Sequence, residues 1–246
     1  MPLPVVILAG GLATRMRPAT QTVPKALLPV NGRPFADIQL GWLGSLGVTD
    51  VVYSVGYLGE AIIGYVGDGQ RFGLRVRYAN DGDRPLGTCG ALRVVIDAGL
   101  VGQSFGVLNG DSFLSLDITA VESAFAASGS AALMTVMRNR NRWGASNAVY
   151  RDGRVVAYDK SRPETWSRQM EWIDYGFSIL TSSAVTARVA SGEVSDLADL
   201  MRDLSALGQL AGYEVTQRFY EIGSPEGLAE LERHLTVRSS GRGGSS

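Results

Sequence analysis

Cysteine and histidine are almost missing from this chain, which has one of each, Cys89 and His234, in 246 residues. A single cysteine excludes an intrachain disulfide framework and fits a reducing, cytoplasmic setting. A single histidine rules out a metal site built from several imidazoles. It also leaves no Ser-His pair unless His234 itself serves, and no nucleophile motif surrounds that residue. No apolar run approaches the ~18 residues of a membrane span. The N-terminus shows no basic region followed by an apolar stretch and a cleavage site, so no membrane partner and no secretory signal are expected. Neither sign of charge dominates: 23 Lys and Arg stand against 24 Asp and Glu, a formal net charge of −1. Nothing there marks a nucleic-acid partner. No internal repeat is present.

Two standard phosphate loops are absent as well. Positions 10 to 15 read Gly-Gly-Leu-Ala-Thr-Arg, which is not Gly-x-Gly-x-x-Gly, and Lys25 lies too far from the glycines for a Walker-type loop. A nicotinamide-binding Rossmann enzyme is disfavoured on that ground. What is present is the run Val5–Leu8, short and rich in Val and Ile, which reads as a buried strand. It stops at Gly10-Gly11, where the backbone is free to take positive φ and to come close to a ligand. Arg15 and Lys25 follow in a polar stretch broken by prolines. Exposed N–H groups beside two fixed cations suit a phosphate chain.

The rest of the first half alternates strand and helix. A helix with apolar residues Phe35, Ile38, Leu40, Leu43 and Leu46 is expected to begin at Pro34 and close at Gly47. Strands are expected at 50–55, 74–79 and 105–109, with helices near 61–66 and 91–97. This pattern predicts an α/β fold, a mostly parallel mixed sheet with helices on both faces. Ligands sit at the carboxyl ends of strands in such sheets, and the loops at 9–18, 80–90 and 109–111 all fall there. The second half is less regular. Strands are expected at 131–137, 173–180 and 214–222, and Arg151-Asp152-Gly153 joins a hairpin of 147–150 and 154–158. Helices are expected at 182–189 and 195–204. Ser224 and Pro225 open a last helix. The Gly/Ser-rich end reads as a flexible tail over 237–246, behind one domain at 1–236.

Leu8-Ala9-Gly10-Gly11-Leu12-Ala13-Thr14-Arg15-Met16-Arg17-Pro18, followed by Pro24-Lys25, resembles the signature of sugar-1-phosphate nucleotidyltransferases, Gly-Gly-x-Gly-Thr-Arg-x-x-Pro and then Pro-Lys. Ala13 stands where the family usually has glycine, so φ there must be tolerable to a Cβ. The resemblance implies a three-layer Rossmann-like nucleotidyltransferase fold. It also implies transfer of a nucleotidyl group from an NTP to a sugar 1-phosphate, releasing pyrophosphate. Arg15, Lys25 and Asp111 would be catalytic. The nucleotide would touch Leu8, Ala9, Gly10, Gly11, Thr14, Arg15, Asp81, Gly87, Thr88 and Asn109. The sugar phosphate would touch Lys25, Gly144, Asp159, Lys160, Asp174 and Tyr175. Asp111, in Asn109-Gly110-Asp111, resembles the family's Gly-Asp metal ligand. Glu221, before Ile222-Gly223-Ser224-Pro225, stands where an aspartate is usual. Two carboxylates with phosphate oxygens and water suit Mg²⁺.

Pro85-Leu86-Gly87-Thr88-Cys89-Gly90 resembles the family's nucleobase loop, with Cys89 read as packing. Asp81 lies where relatives place a base-reading side chain. An ionised carboxylate only accepts hydrogen bonds. Guanine offers it two adjacent donors and uracil one, which favours guanine, with uracil or thymine next. On the sugar side, Arg142-Trp143-Gly144, Asp159-Lys160 and Asp174-Tyr175-Gly176 each depart from the family's residues, pointing to a substrate other than the commonest hexoses. The branch that looks nearest includes heptose-1-phosphate guanylyltransferases, with N-acetylmuramate-1-phosphate uridylyltransferases similar. This leads to GTP with D-glycero-D-manno-heptose 1-phosphate or a related sugar phosphate. The alternatives are a UTP- or CTP-dependent enzyme and a non-catalytic relative that binds an NDP-sugar. A homodimer is compatible with either.

Overall fold

Val5, Val6 and Ile7 are shielded from solvent because the strand they form lies inside a sheet, with neighbours on both edges and cores on both faces. The structure, a computed structural model, describes residues 2–82 and 84–242. Its strands are β1 (Val5–Leu8), β2 (Pro29–Val30), β3 (Arg33–Pro34), β4 (Asp50–Val55), β5 (Arg75–Asn80), β6 (Ser104–Asn109), β7 (Ser112–Phe113), β8 (Ala132–Arg138), β9 (Ala148–Arg151), β10 (Arg154–Tyr158), β11 (Trp172–Thr181), β12 (Leu210–Glu214) and β13 (Tyr220–Glu221). The helices are α1 (Phe35–Ser45), α2 (Gly59–Val66), α3 (Gly87–Asp97), α4 (Ile118–Ser128), α5 (Glu164–Ser167), α6 (Ser182–Thr186), α7 (Leu197–Ala206) and α8 (Pro225–Arg242).

One sheet runs in the order β5-β4-β1-β6-β11-β8-β12-β10-β9. Its first four strands are parallel, so their carboxyl ends share one edge. Past β6 the sheet turns mixed: β11 is antiparallel to both β6 and β8, and only β8 and β12 are parallel. Leu40 and Leu43 of α1, Ile62 of α2 and Val121 of α4 pack one face. Cys89 and Leu92 of α3, Val185 of α6 and Leu204 of α7 pack the other. The result is three layers. Among the described residues, no helix is long and apolar enough to cross a membrane.

Local chemistry explains most boundaries. Gly47, at φ +80°, ends α1 in the left-handed conformation that glycine adopts freely. Asp152 and Gly153, both at positive φ, form the two-residue turn of the β9–β10 hairpin. The Ser224 hydroxyl accepts from the Gly227 amide at 3.1 Å and opens α8. The strand expected over 214–222 is corrected: β12 ends at Glu214, and beyond it only Tyr220–Glu221 pairs, with β7. Of the tail expected over 237–246, residues 237–242 continue α8, and 243–246 lie outside the described residues.

A third, smaller core matters for the site. Val30, Phe35, Phe113, Ile222 and Leu231 bury one another, joining the β2–β3 hairpin, α1, the β7–β13 ladder and α8. Asn31 locks this corner by donating its backbone N–H to Glu232 Oε1 and its amide to the Glu232 carbonyl, each at 3.0 Å.

Candidate active site

The loop after β1 is held by its own backbone. Ala9 N–H donates to Ser54 O at 2.9 Å, and Gly110 N–H donates to Leu8 O at 3.0 Å. A Cβ at Gly110 would lie 2.3 Å from Leu8 O, so the turn after β6 reaches β1 only because residue 110 has no side chain. Ala13 takes φ 48° and ψ 40°, the left-handed region where a Cβ costs about 1 kcal/mol. This is the position where the family signature carries glycine. The Thr20 hydroxyl, buried, donates to Ala13 O at 2.8 Å and fixes the strained turn from outside.

A cleft of about 450 Å³ opens at this edge. It collects Leu8, Ala9, Gly10, Gly11 and Arg15 from the first loop, Lys25, Asp81, Gly87 and Thr88, Asn109 and Asp111, and Lys160 from beyond β10. Residues scattered over 150 positions of sequence therefore share one wall-to-wall space. Thr14 does not line it: the side chain is exposed at the start of a single 3-10 turn.

Charge concentrates at the floor. Lys25 Nζ lies 2.9 Å from Asp111 Oδ2, both side chains about a fifth exposed (22% each). The β7–β13 ladder sets Glu221 opposite Ser112, next to Asp111, and Ile222 N–H donates to Asp111 O at 3.0 Å. Burial pushes the Glu221 carboxyl up, Asp111's negative charge pushes it further, and Arg15 and Lys25 pull it back. Four charges, two of each sign, thus face one another. A Cβ on Gly223 would stand 3.3 Å from both Arg15 Nη2 and Asp111 Oδ2 and 3.6 Å from Glu221 Cδ. The bare glycine leaves that space open.

On the wall beside β5, Asp81 reaches toward Gly10; its Oδ2 is 3.4 Å from where a Gly10 Cβ would sit. Its Oδ1 is shielded from solvent, and the Ser54 hydroxyl beside the carboxyl favours its ionised form. Burial pushes the Asp81 carboxyl up to about 6. Gly87, at φ +75°, starts α3 against the backbone of Ser195, leaving 2.4 Å between a would-be Cβ and Ser195 O. The Thr88 hydroxyl donates to Asp196 Oδ1 at 3.1 Å and accepts from Leu197 N–H at 2.7 Å. It therefore ties the loop before α3 to α7 while lining the cleft. Cys89 is fully buried, and burial pushes its thiol up to about 12. It packs and does not act as a nucleophile.

A polar recess of about 60 Å³ leads off the cleft between β11 and α7. Tyr158, Lys160, Asp174, Ser178 and Asp196 border it. Burial pushes the Asp174 carboxyl up; the Gly176 amide, which it accepts from at 2.9 Å, and the nearby Lys160 pull it back. Tyr175 does not join it. Successive strand residues point to opposite faces, so Tyr175 is fully buried in the core, exchanges hydrogen bonds with the Ser115 backbone and stands edge-on to Phe219 at 5.7 Å. Asp159 also lies outside the recess, its carboxylate closing a turn on Ser161 at 2.7 Å. Gly144 sits in the 139–147 loop, its carbonyl held by Asn139 at 2.8 Å, and lines neither space.

The sequence reading passed over Ser54, Tyr158, Ser178 and Asp196. Asp196 carried only a helix-capping signal, and indeed it caps α7 by accepting from Ala198 N–H at 2.8 Å. Gly110 and Gly223 stood inside the quoted motifs, but neither was assigned a role of its own; each lies within two residues of a floor carboxylate.

Known proteins match this architecture. The family model described as "Nucleotidyl transferase" matches residues 4–151. The chain is 25% identical over 233 residues to the D-glycero-alpha-D-manno-heptose 1-phosphate guanylyltransferase of Aneurinibacillus thermoaerophilus, covering 94% of this chain and 97% of that protein. It is 38% identical over 115 residues to the N-acetylmuramate alpha-1-phosphate uridylyltransferase of Neisseria meningitidis serogroup B, covering 47% of this chain and 49% of that protein. The matches to the first curated relatives span half of their length or less. The crystal structure of HddC from Yersinia pseudotuberculosis complexed with GMP-PN shares the fold, with a TM-score of 0.76 at 24% identity over 95% of this chain and 99% of that one. A family match over more than half of the chain, on a fold whose charged floor and glycine-lined loop lie at one sheet edge, settles the affiliation: the chain belongs to the nucleotidyl transferase family.

Proposed function

We propose that the protein joins an NTP to a sugar 1-phosphate, giving an NDP-sugar and pyrophosphate. The observation that carries this reading is the meeting of Arg15, Lys25, Asp111 and Glu221 at the floor of a glycine-lined cleft. An oxygen of the sugar phosphate attacks the α-phosphorus. The new bond is P–O to the sugar phosphate, and the bond broken is that from the α-phosphorus to the pyrophosphate oxygen. The nucleophile is already ionised, so no protein base is needed. Catalysis is then positioning and charge neutralisation. Lys25 holds the α-phosphate and the incoming phosphate together. Arg15 neutralises the departing pyrophosphate. Lys160, at the junction of cleft and recess, holds the sugar phosphate.

Asp111 and Glu221 fit a hard divalent cation such as Mg²⁺. Both are oxygen donors, and they lie close enough for one charge to raise the other's proton affinity. Among the described residues no group of three or more His, Cys, Asp or Glu side chains comes together. The remaining ligands would be phosphate oxygens and water. Such an ion supplies charge neutralisation on the α-phosphate.

The preferred donor is GTP. The Asp81 carboxylate lines the cleft beside Ser54 and only accepts when ionised, and guanine brings two adjacent donors. The near full-length likeness to a heptose 1-phosphate guanylyltransferase supports the same choice and a heptose acceptor. The second reading is a uridylyltransferase, which the Neisseria relative favours and which offers Asp81 one donor. The test is pyrophosphate release across four NTPs and a panel of hexose and heptose 1-phosphates. GTP with a heptose phosphate is expected to lead. Preference for UTP overturns the base, preference for a plain hexose overturns the sugar, and no release from any pair overturns the reaction and leaves a binding protein.

A further inference from the structure

We propose that Gln39 is a positioning residue that sets Asp111 against Lys25. It rests on α1 and is buried, 1% exposed. Its amide nitrogen donates to the carbonyl oxygens of Asn109 at 3.2 Å and Ser112 at 3.1 Å. These residues flank Gly110 and Asp111, so one side chain holds both ends of the turn that presents the carboxylate. The same helix is tied to the segment carrying Lys25: Leu28 N–H donates to Lys25 O and Phe35 N–H to Leu28 O, each at 3.0 Å. Gln39 is thus a bridge between the two elements whose charges meet at 2.9 Å.

The residue type fits this task. Two carbonyl acceptors need two N–H groups, and a primary amide supplies both from one nitrogen. A hydroxyl supplies one. Lys or Arg would carry a charge into a buried site. Turning the amide over would aim its oxygen at two carbonyl oxygens, so the orientation is determined by its partners. The arrangement has a cost, because Oε1 is left buried without a partner, and an unpaired buried acceptor destabilises. An apolar side chain of the same size would fill the helix face without that acceptor. What it could not do is hold the two carbonyls that frame Asp111.

The inference rests on the roles given above to Asp111 and Lys25. The test compares wild type with Gln39→Leu and the near-isosteric Gln39→Glu, reading kcat and KM for both substrates, Tm and Mn²⁺ affinity by electron paramagnetic resonance. Mn²⁺ is titrated with whichever of GTP and UTP the wild type turns over, or alone if it turns over neither. Groups that orient a ligand from behind are worth about 10–100-fold in affinity or activity. We expect kcat to fall by about that much in both variants, with both KM values within about threefold and weaker Mn²⁺ binding. Leu43→Val, in the core face of the same helix, is the control: it lowers Tm and leaves kcat and Mn²⁺ binding alone. If Gln39→Leu does not fold, Gln39→Glu carries the test. Variants that lose Tm but keep kcat and Mn²⁺ affinity within twofold of wild type overturn the proposal. If the wild type releases no pyrophosphate from any substrate pair, the proposed reaction fails, and Mn²⁺ affinity alone decides: unchanged affinity overturns the role of Gln39, weakened affinity supports it.

Discussion

The cleft wall that follows β1 and β6 is made of backbone, whereas the wall that follows β10 and β11 is made of side chains. On the first wall Gly10 and Gly110 let main chain approach main chain, and peptide hydrogen bonds fix the loop. On the second, Tyr158 and Asp174 from strands, Lys160 from the turn after β10 and Asp196 from the start of α7 reach into a recess. A backbone wall tolerates little change, and in the proposed reaction it faces what all substrates share, the phosphate chain. A side-chain wall alters one residue at a time, and in the same proposal it faces the part that differs, the sugar. The charged floor lies between them.

The largest expected effect would come from the backbone wall. Gly110→Ala drives a Cβ to 2.3 Å from Leu8 O, a backbone atom that has nowhere to go. Overpacking of this kind costs about 1–3 kcal/mol, and urea denaturation should place this variant at the upper end, with binding of both substrates lost. A variant as stable and active as wild type would break the distinction between the walls. Lys25→Ala comes next. Turnover should fall by about 10²–10³-fold, the loss typical of removing one charge-stabilising group, with the circular dichroism spectrum unchanged; near-normal turnover removes Lys25 from the chemistry.

Asp174→Asn sharpens the comparison from the other side. It should raise KM for the sugar phosphate by about tenfold, the worth of one or two hydrogen bonds, and leave KM for the NTP alone. A matching rise in both would show that the recess is not specific to the sugar. The pH response of Asp81 is smaller. Its carboxyl is pushed up to about 6 from an ordinary value of 3.8, so the folded state holds a proton that the unfolded state has released between those values. Stability contributed by this group is therefore present below pH 4 and declines as pH rises toward 6. Under the proposed base-reading role of Asp81 the trend is opposite, because only the ionised form accepts from two donors. KM for the NTP should rise as pH drops below about 6 in wild type, and Asp81→Asn should flatten that rise. The smallest effect is Ala13→Gly. Relief of the left-handed alanine, about 1 kcal/mol, is partly offset by a floppier unfolded chain. A net gain under about 1 kcal/mol is expected in urea.

The same contrast explains what could be read from sequence. Strands β1, β4, β5 and β6 and the loops after them are specified locally, by β-branched runs stopped at glycines, and each strand is followed by its own helix. That pattern places Gly10, Arg15 and Lys25 at the ligand edge, and the resemblance to the family's motifs singles out Asp81 and Asp111 there. Tyr175 was misplaced because strand alternation assigns it a face only relative to Asp174, and the register of β11 shifts between Asp174 and Ser178. Asp196 was invisible because its link to Thr88 spans more than a hundred residues. Gln39 read as one more helix residue; nothing near it in sequence names Asn109 or Ser112 as its acceptors.

The corner where α8 covers the β2–β3 hairpin has a consequence for the order of events during synthesis. The residues of the loops after β1 and β6 precede position 112, but Asp111 has no Glu221 beside it, and the 25–35 segment has no Leu231 or Glu232 to lean on, until α8 is made. The charged floor is therefore completed only by contacts between residues far apart along the chain, 220–232 against 25–35 and 111–113.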